Sequence, residues 1–152
     1  MFVADAVTLD QIIYHAEIVG RAVQRALVIV DMPFPTFQIS PTSAIANAAR
    51  IIQETRSQAV KQEGGTEQAA TIAALVGAGI PVMGHVGLRP QTVHQMGGYK
   101  VHRDAAKLVA DAQAAQDAGA FAVVLECIPS DIAAEISQRL TVPTIGIGAG
   151  KG

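Results

Sequence analysis

The segment Phe121 to Pro129 reads FAVVLECIP. Five apolar residues, rich in β-branched side chains, run directly into Glu126, and a proline follows three residues later. A short apolar run of this kind before a turn predicts a strand covered on both faces. Its last residue is a carboxylate, which is costly to bury without a partner or a task. The same pattern recurs. ALVIVD ends at Asp31, AVKQE ends at Glu63 and PVMGH ends at His85. Each predicted strand delivers a polar group at its C-terminal end, which is how α/β barrels and open α/β sheets build active sites.

Composition narrows the class. The chain has 152 residues, half of them hydrophobic and only 16% charged, so a sizeable core is expected rather than disorder. One domain spanning residues 1–152 is the expected organisation. Net charge is −2 with no basic block, which argues against nucleic acid. A single cysteine excludes an internal disulfide and fits a reducing cytosol. No apolar run reaches the ~18 residues of a membrane span. MFVADAVTLD carries acidic residues and no basic n-region, so a signal peptide is not expected.

Working outward from FAVVLE, strands and helices alternate. Thr8 and Gln11 form a capping-box pattern ahead of a helix with Ile12, Ile13, Ala16, Val19 and Val23 at helical spacing. A strand is expected over Ala26 to Val30, then a helix entered through Ser40-Pro41 with Ile45, Ala48, Ala49 and Ile52 inward. Ala59 to Gln62 is a weaker strand, in which Gln62 is out of keeping with two covered faces. Thr66 begins a helix with Ala69, Ile72, Ala73 and Val76 inward, and Pro81 to Gly84 is the next strand. A polar loop runs from Gly87 to about Lys100, with a short helix after Pro90. Asp104 to Ala118 is a helix stopped by Gly119; Ser130 caps the last helix; Thr144 to Ile147 is the last strand. This alternation predicts right-handed βαβ crossovers and a parallel sheet. A whole eight-stranded barrel takes ~250 residues, so five units in this length correspond to part of one.

Asp31, Lys61, Glu63, His85 and Glu126 therefore converge on one face of a parallel barrel. Two carboxylates, Asp31 and Glu63, suit a hard divalent ion such as Mg²⁺. Lys61 can face a substrate anion, and Glu126 is free to move a proton. Simpler readings exist for each residue taken alone. An Asp after a strand is more often a turn or cap residue. Lys61 and Glu63, two apart, could pair with each other, and His85 could be a satisfied core histidine. Recurrence at equivalent strand ends favours the functional reading. The glycine-rich GIGAGKG over Gly146–Gly152 lacks the Walker spacing, and a tight turn explains it at least as well. Cys127 reads as a small buried hydrophobe. His15 reads as a surface or packing residue. His94 and His102 lack metal-ligand spacing.

The segments VTLDQIIYH, VDMPF, AVKQEGG, GIPVMGHVGLRPQTVHQMGGYKV, AGAFAVVLECIP and PTIGIGAG, in this order, resemble the ketopantoate hydroxymethyltransferase family over nearly the whole chain. The resemblance implies a (β/α)₈ barrel related to the phosphoenolpyruvate-utilising enzymes, about five βα units of which are present. It implies transfer of a one-carbon unit from 5,10-methylenetetrahydrofolate to 3-methyl-2-oxobutanoate, giving 2-dehydropantoate for pantothenate and coenzyme A synthesis. It further implies Mg²⁺ dependence, a cytoplasmic location and a homo-oligomer, a decamer in the family. By motif, Asp31 would bind metal and substrate, Lys61 the 2-oxo acid and Glu63 the metal site. Glu126 would be the proton acceptor, and His85 would line the pocket. Family members carry two further strands before the point matching Met1, the second ending in a Gly-Asp-Ser motif with a metal-binding Asp. They also continue beyond GIGAG and carry a longer stretch where His102-Arg103 stands. The chain is thus expected to be a partial barrel, truncated at both ends, and full activity is not expected of it alone. The alternatives are a non-catalytic remnant or subunit of a split barrel, and another metal-dependent 2-oxo acid lyase of the superfamily.

Overall fold

A computed structural model describes residues 6–92 and 104–151. His94 and His102 lie outside the described residues. Five strands form one sheet in the order β1(Ile29–Asp31)-β2(Ala59–Glu63)-β3(Val82–Gly87)-β4(Ala122–Glu126)-β5(Thr144–Ile147), every neighbouring pair parallel. Helices α1(Leu9–Ala22), α2(Pro41–Glu54), α3(Ala69–Gly77), α4(Ala105–Asp117) and α5(Ser130–Arg139) alternate with them. Sequential order in a parallel sheet is the arrangement of a barrel wall, as the alternation predicted. No helix among the described residues is long and apolar enough to cross a membrane.

The register lines up the strand ends. Asp31 pairs with Lys61, Glu63 with His85 and Gly87 with Glu126. The helix-facing side of the sheet buries Val60, Val82 and Val123 against Ala48, Ile51, Ile72, Leu75, Ala112 and Ala115. Alanines at the contact let helix and sheet approach closely. At Gly84, where an added Cβ would stand 3.0 Å from the Ala115 methyl, even the strand side chain is absent.

Several local expectations shift. The capping box at Thr8 forms as predicted, with Gln11 N–H on Thr8 Oγ1 at 3.3 Å and Thr8 N–H on Gln11 Oε1 at 2.9 Å. The buried face of α1, however, is Ile13, Ala16 and Gly20, while Val19 is 48% exposed. Gly20 takes the inward position because the Arg56 Cβ stands only 2.8 Å from where its own Cβ would be. On α2 the buried residues are Ala44, Ala48 and Ile51; Ile45, Ala49 and Ile52 flank them. β1 begins at Ile29, not Ala26, since Leu27 is exposed and pairing starts where the Gln58 amide oxygen accepts from Val28 N–H at 2.8 Å.

Thr66–Gln68 is a 3₁₀ turn before α3, whose buried residues are Thr71, Ile72 and Leu75. β2 and β3 are longer than expected, so His85 lies inside its strand. Ser130 is the first residue of α5 rather than its cap; Pro129 holds that position and makes no side-chain hydrogen bond. Gln62 does lie within a covered strand, its Nε2 donating to Gln68 Oε1 at 3.3 Å. Cys127 is half-buried, not buried, and turns the chain out of β4 in the left-handed region at φ 51°.

Candidate active site

The C-terminal strand ends meet in one open cavity of about 310 Å³, lined among others by Asp31, Lys61, Glu63, His85 and Glu126. All five polar groups singled out in the sequence are therefore brought together. Alternation places Lys61 and Glu63 on the same side of β2, with Gln62 turned to the helices. β1, β3 and β4 present Asp31, His85 and Glu126 to the same space.

Lys61 does not pair with Glu63. Its Nζ stands 2.9 Å from Asp31 Oδ2 and 3.1 Å from His85 Nδ1. Across the ring, His85 Nε2 is 3.1 Å from Glu126 Oε2, yet the geometry makes no hydrogen bond and leaves that nitrogen without one. Burial, and then the adjacent Lys61 ammonium, push the His85 imidazole down to about 3. It is therefore neutral at physiological pH, and the contact with Glu126 is not ionic. An ammonium donating to Nδ1 assigns the ring proton to Nε2, facing Glu126.

Glu63 is 4% exposed. Burial pushes its carboxyl up to about 7; the Asp31 charge adds to this, while Lys61 and the Gln91 N–H oppose it. Burial also raises the Glu126 carboxyl, with Lys61 opposing and Asp31 adding. Glu63 Oε2 accepts from Gln91 N–H at 3.2 Å. Gln91 is itself fixed, donating to the Met32 carbonyl at 2.8 Å and accepting from Gln38 Nε2 at 2.9 Å. It ties the segments after β1 and β3 to the end of β2. This role is not legible in the sequence, because Gln91 lies in the polar stretch after Gly87, where no periodicity assigns a direction to any side chain. The expected short helix after Pro90 is a 3₁₀ turn, Pro90–Thr92, and it aims the Gln91 N–H at Glu63.

The donor set suits a hard divalent ion. Among the described residues no three His, Cys, Asp or Glu side chains gather as a ready cage. Two carboxylates, Asp31 and Glu63, instead share the cavity, and the Asp31 charge disfavours ionisation of Glu63, an excess that a cation would relieve. Mg²⁺ commonly takes one or two carboxylates and keeps its other positions for water and substrate oxygens.

The raised Glu63 carboxyl has a testable consequence for stability. Unfolded, the group ionises near pH 4.5; folded, near 7. Below both values it is protonated in either state and costs nothing. As pH rises between them, the unfolded state loses its proton first, so stability falls. The full difference is roughly 3 kcal/mol. Denaturant midpoints of the metal-free chain are therefore expected to drop between about pH 4.5 and 7, and to level off above that, relative to those of Glu63→Gln, which lacks the titrating group. Parallel pH dependence in the two chains would refute this account.

The sequence model of the family Ketopantoate hydroxymethyltransferase matches residues 3–152. The chain is 58% identical over 145 residues to 3-methyl-2-oxobutanoate hydroxymethyltransferase of Rhodopirellula baltica, a match covering 95% of this chain and 54% of that protein. It is 56% identical over 146 residues to the protein of the same name from Desulforapulum autotrophicum, covering 96% of this chain and 56% of the relative. The chain thus spans about half the length of the curated relatives it matches. Among solved structures it is similar in fold to a phosphonopyruvate hydrolase, with TM-score 0.68 and 16% identity over 94% of this chain and 53% of that one. A phosphoenolpyruvate phosphomutase from Streptomyces platensis gives TM-score 0.69 and 17% identity over 93% and 54% of the two chains.

Proposed function

The chain belongs to the ketopantoate hydroxymethyltransferase family, and on that premise we propose that its cavity enolises 3-methyl-2-oxobutanoate for hydroxymethyl transfer from 5,10-methylenetetrahydrofolate. The product would be 2-dehydropantoate. The observation that carries this reading is the meeting of a raised carboxyl (Glu126), an ammonium (Lys61) and two further carboxylates (Asp31, Glu63) in one cavity. A cavity of about 310 Å³ is at the small end of ligand sites, as a five-carbon acid requires.

Glu126 takes the C3 proton. The C–H electron pair becomes a C2–C3 double bond, and the charge moves to the keto oxygen. A carboxyl raised by burial is a stronger base than one in water. Lys61 neutralises the substrate anion, held at the mouth of the cavity by its ion pair with Asp31. His85, neutral, fills the space between Lys61 and Glu126 without competing for the proton. Asp31 and Glu63 would hold Mg²⁺, which when bound would polarise the 2-oxo acid as a Lewis acid. The folate co-substrate, a cytoplasmic location and assembly into a homo-oligomer belong to the same proposal.

The test needs no folate. The purified chain is incubated with Mg²⁺ and 3-methyl-2-oxobutanoate in D₂O, and loss of the C3 proton is followed by NMR. Exchange above the rate with Mg²⁺ alone is expected. A folded chain that leaves the C3 proton at the background rate would overturn the reading.

A further inference from the structure

Asp111 lies on the inner face of α4, 6% exposed, and is not part of the cavity lining. A carboxylate at that depth is costly without partners. Its Oδ1 accepts from both donors of Thr66, the N–H at 3.1 Å and the hydroxyl at 2.9 Å, while Oδ2 meets Lys107 Nζ at 2.8 Å. Thr66 stands three residues after Glu63, with only Gly64 and Gly65 between.

Those glycines are needed where they are. Gly64 sits at φ +129°, and a Cβ on Gly65 would overlap the Asp111 carboxylate. The close approach of Asp111 to the turn thus depends on a residue without a side chain. The same two glycines give the chain after Glu63 its greatest freedom. Gln68 N–H donates to the Gly65 carbonyl at 3.0 Å within the turn, and two contacts tie the turn to its surroundings. Gly64 N–H donates to the His85 carbonyl at 2.9 Å on the sheet side, and Asp111 grips Thr66 on the helix side. The Lys107 ammonium, half-exposed, offsets the buried charge from Oδ2 and leaves Oδ1 to the turn. Two hydrogen bonds converging on one carboxylate oxygen from one turn residue point to the turn as what is being held.

We propose that Asp111 is a positioning residue: through Thr66 it fixes the Gly64-Gly65 turn and so sets the Glu63 carboxylate in the cavity. The claim rests on the function proposed above for its catalytic meaning, but the restraint itself can be read independently. In the 152-residue chain, Asp111→Ala is expected to speed amide hydrogen exchange at Thr66 by about tenfold, the value of a hydrogen bond to a charged group. The Glu63 ¹³Cδ resonance is expected to move at fixed pH, with amides of Val123 and Val124 unchanged. Asp111→Asn, which keeps the acceptor oxygen, is expected to restore both signals. Thr66→Ala, which leaves the buried carboxylate in place, is expected to give the same changes at smaller size if Asp111→Ala does not fold. In C3 exchange, Asp111→Ala is expected to lower kcat with KM held within about twofold. An unmoved Glu63 resonance with unchanged Thr66 protection would overturn the proposal, as would loosening spread evenly over the sheet. Absence of C3 exchange in the parent chain would overturn the proposed function, while the amide and carbon signals still decide the role of Asp111.

Discussion

Replacing Glu126 by Gln is expected to slow C3 hydrogen exchange by about 10²- to 10⁴-fold, the contribution of a positioned general base. Gln keeps the shape of the side chain and removes the proton-accepting charge. The Glu126 side chain is about one-fifth exposed, so the amide can be solvated, and the change in stability is expected to stay within about 0.5 kcal/mol. The competing bases in the cavity are weaker candidates on physical grounds. His85, with its pKa lowered to about 3, has little affinity for a proton and lies inside β3. Glu63 has a suitable pKa of about 7, but its carboxylate is engaged by the Gln91 N–H and shares the negative field of Asp31. If exchange in Glu126→Gln stays near the parent rate while Glu63→Gln loses it, the base is Glu63 and the roles assigned here are reversed. The measurement is the same NMR exchange experiment, run on both variants at equal fold content.

The parts of this site that were legible in the sequence share a physical origin. A polar residue is costly inside a strand covered on both faces and is cheapest at its end, so FAVVLE marked both the strand and its carboxylate, while Gln62, buried within β2, is the exception that its bond to Gln68 accommodates. The same logic located Asp31 and Glu63. Side-chain alternation then put Lys61 with Glu63 rather than with Gln62. What escaped depends on long-range partners that leave no local signature. Asp111 sits at a helical position whose neighbours, Leu108 and Ala115, are apolar, and its task is visible only once Thr66 is opposite it. Gln91 acts partly through its backbone N–H, which every residue but proline carries. The inward turn of Gly20 in place of Val19 is decided by Arg56, thirty-six positions along the chain, and no periodicity in α1 records it. Ser130 has the composition of a cap, yet the chain turns one residue earlier, at Pro129.

Lys61→Met is expected to cut kcat/KM for C3 exchange by about 10²-fold, on the basis of one lost charge-assisted hydrogen bond to the substrate anion. Its second effect is more diagnostic. The ammonium lowers the pKa of both Glu63 and Glu126 and also that of His85. Without it, the ionised carboxylates lose their nearest cation, so both pKa values rise, that of Glu63 beyond about 7. A base works only when deprotonated, so the ascending limb of the pH–rate profile must move to higher pH. The His85 imidazole shifts the same way, since the Lys61 repulsion is gone, while burial, the larger cause of its neutrality, remains. Lys61→Arg separates charge from shape. The guanidinium preserves the positive charge beside Asp31, so the limb is expected to stay in place, while its larger planar head misplaces the substrate and lowers kcat/KM. Profiles from pH 5 to 9 for the three chains decide the matter. A limb that stays put in Lys61→Met would mean that the ammonium does not govern the ionisation of the base, and that Lys61 serves only to hold Asp31.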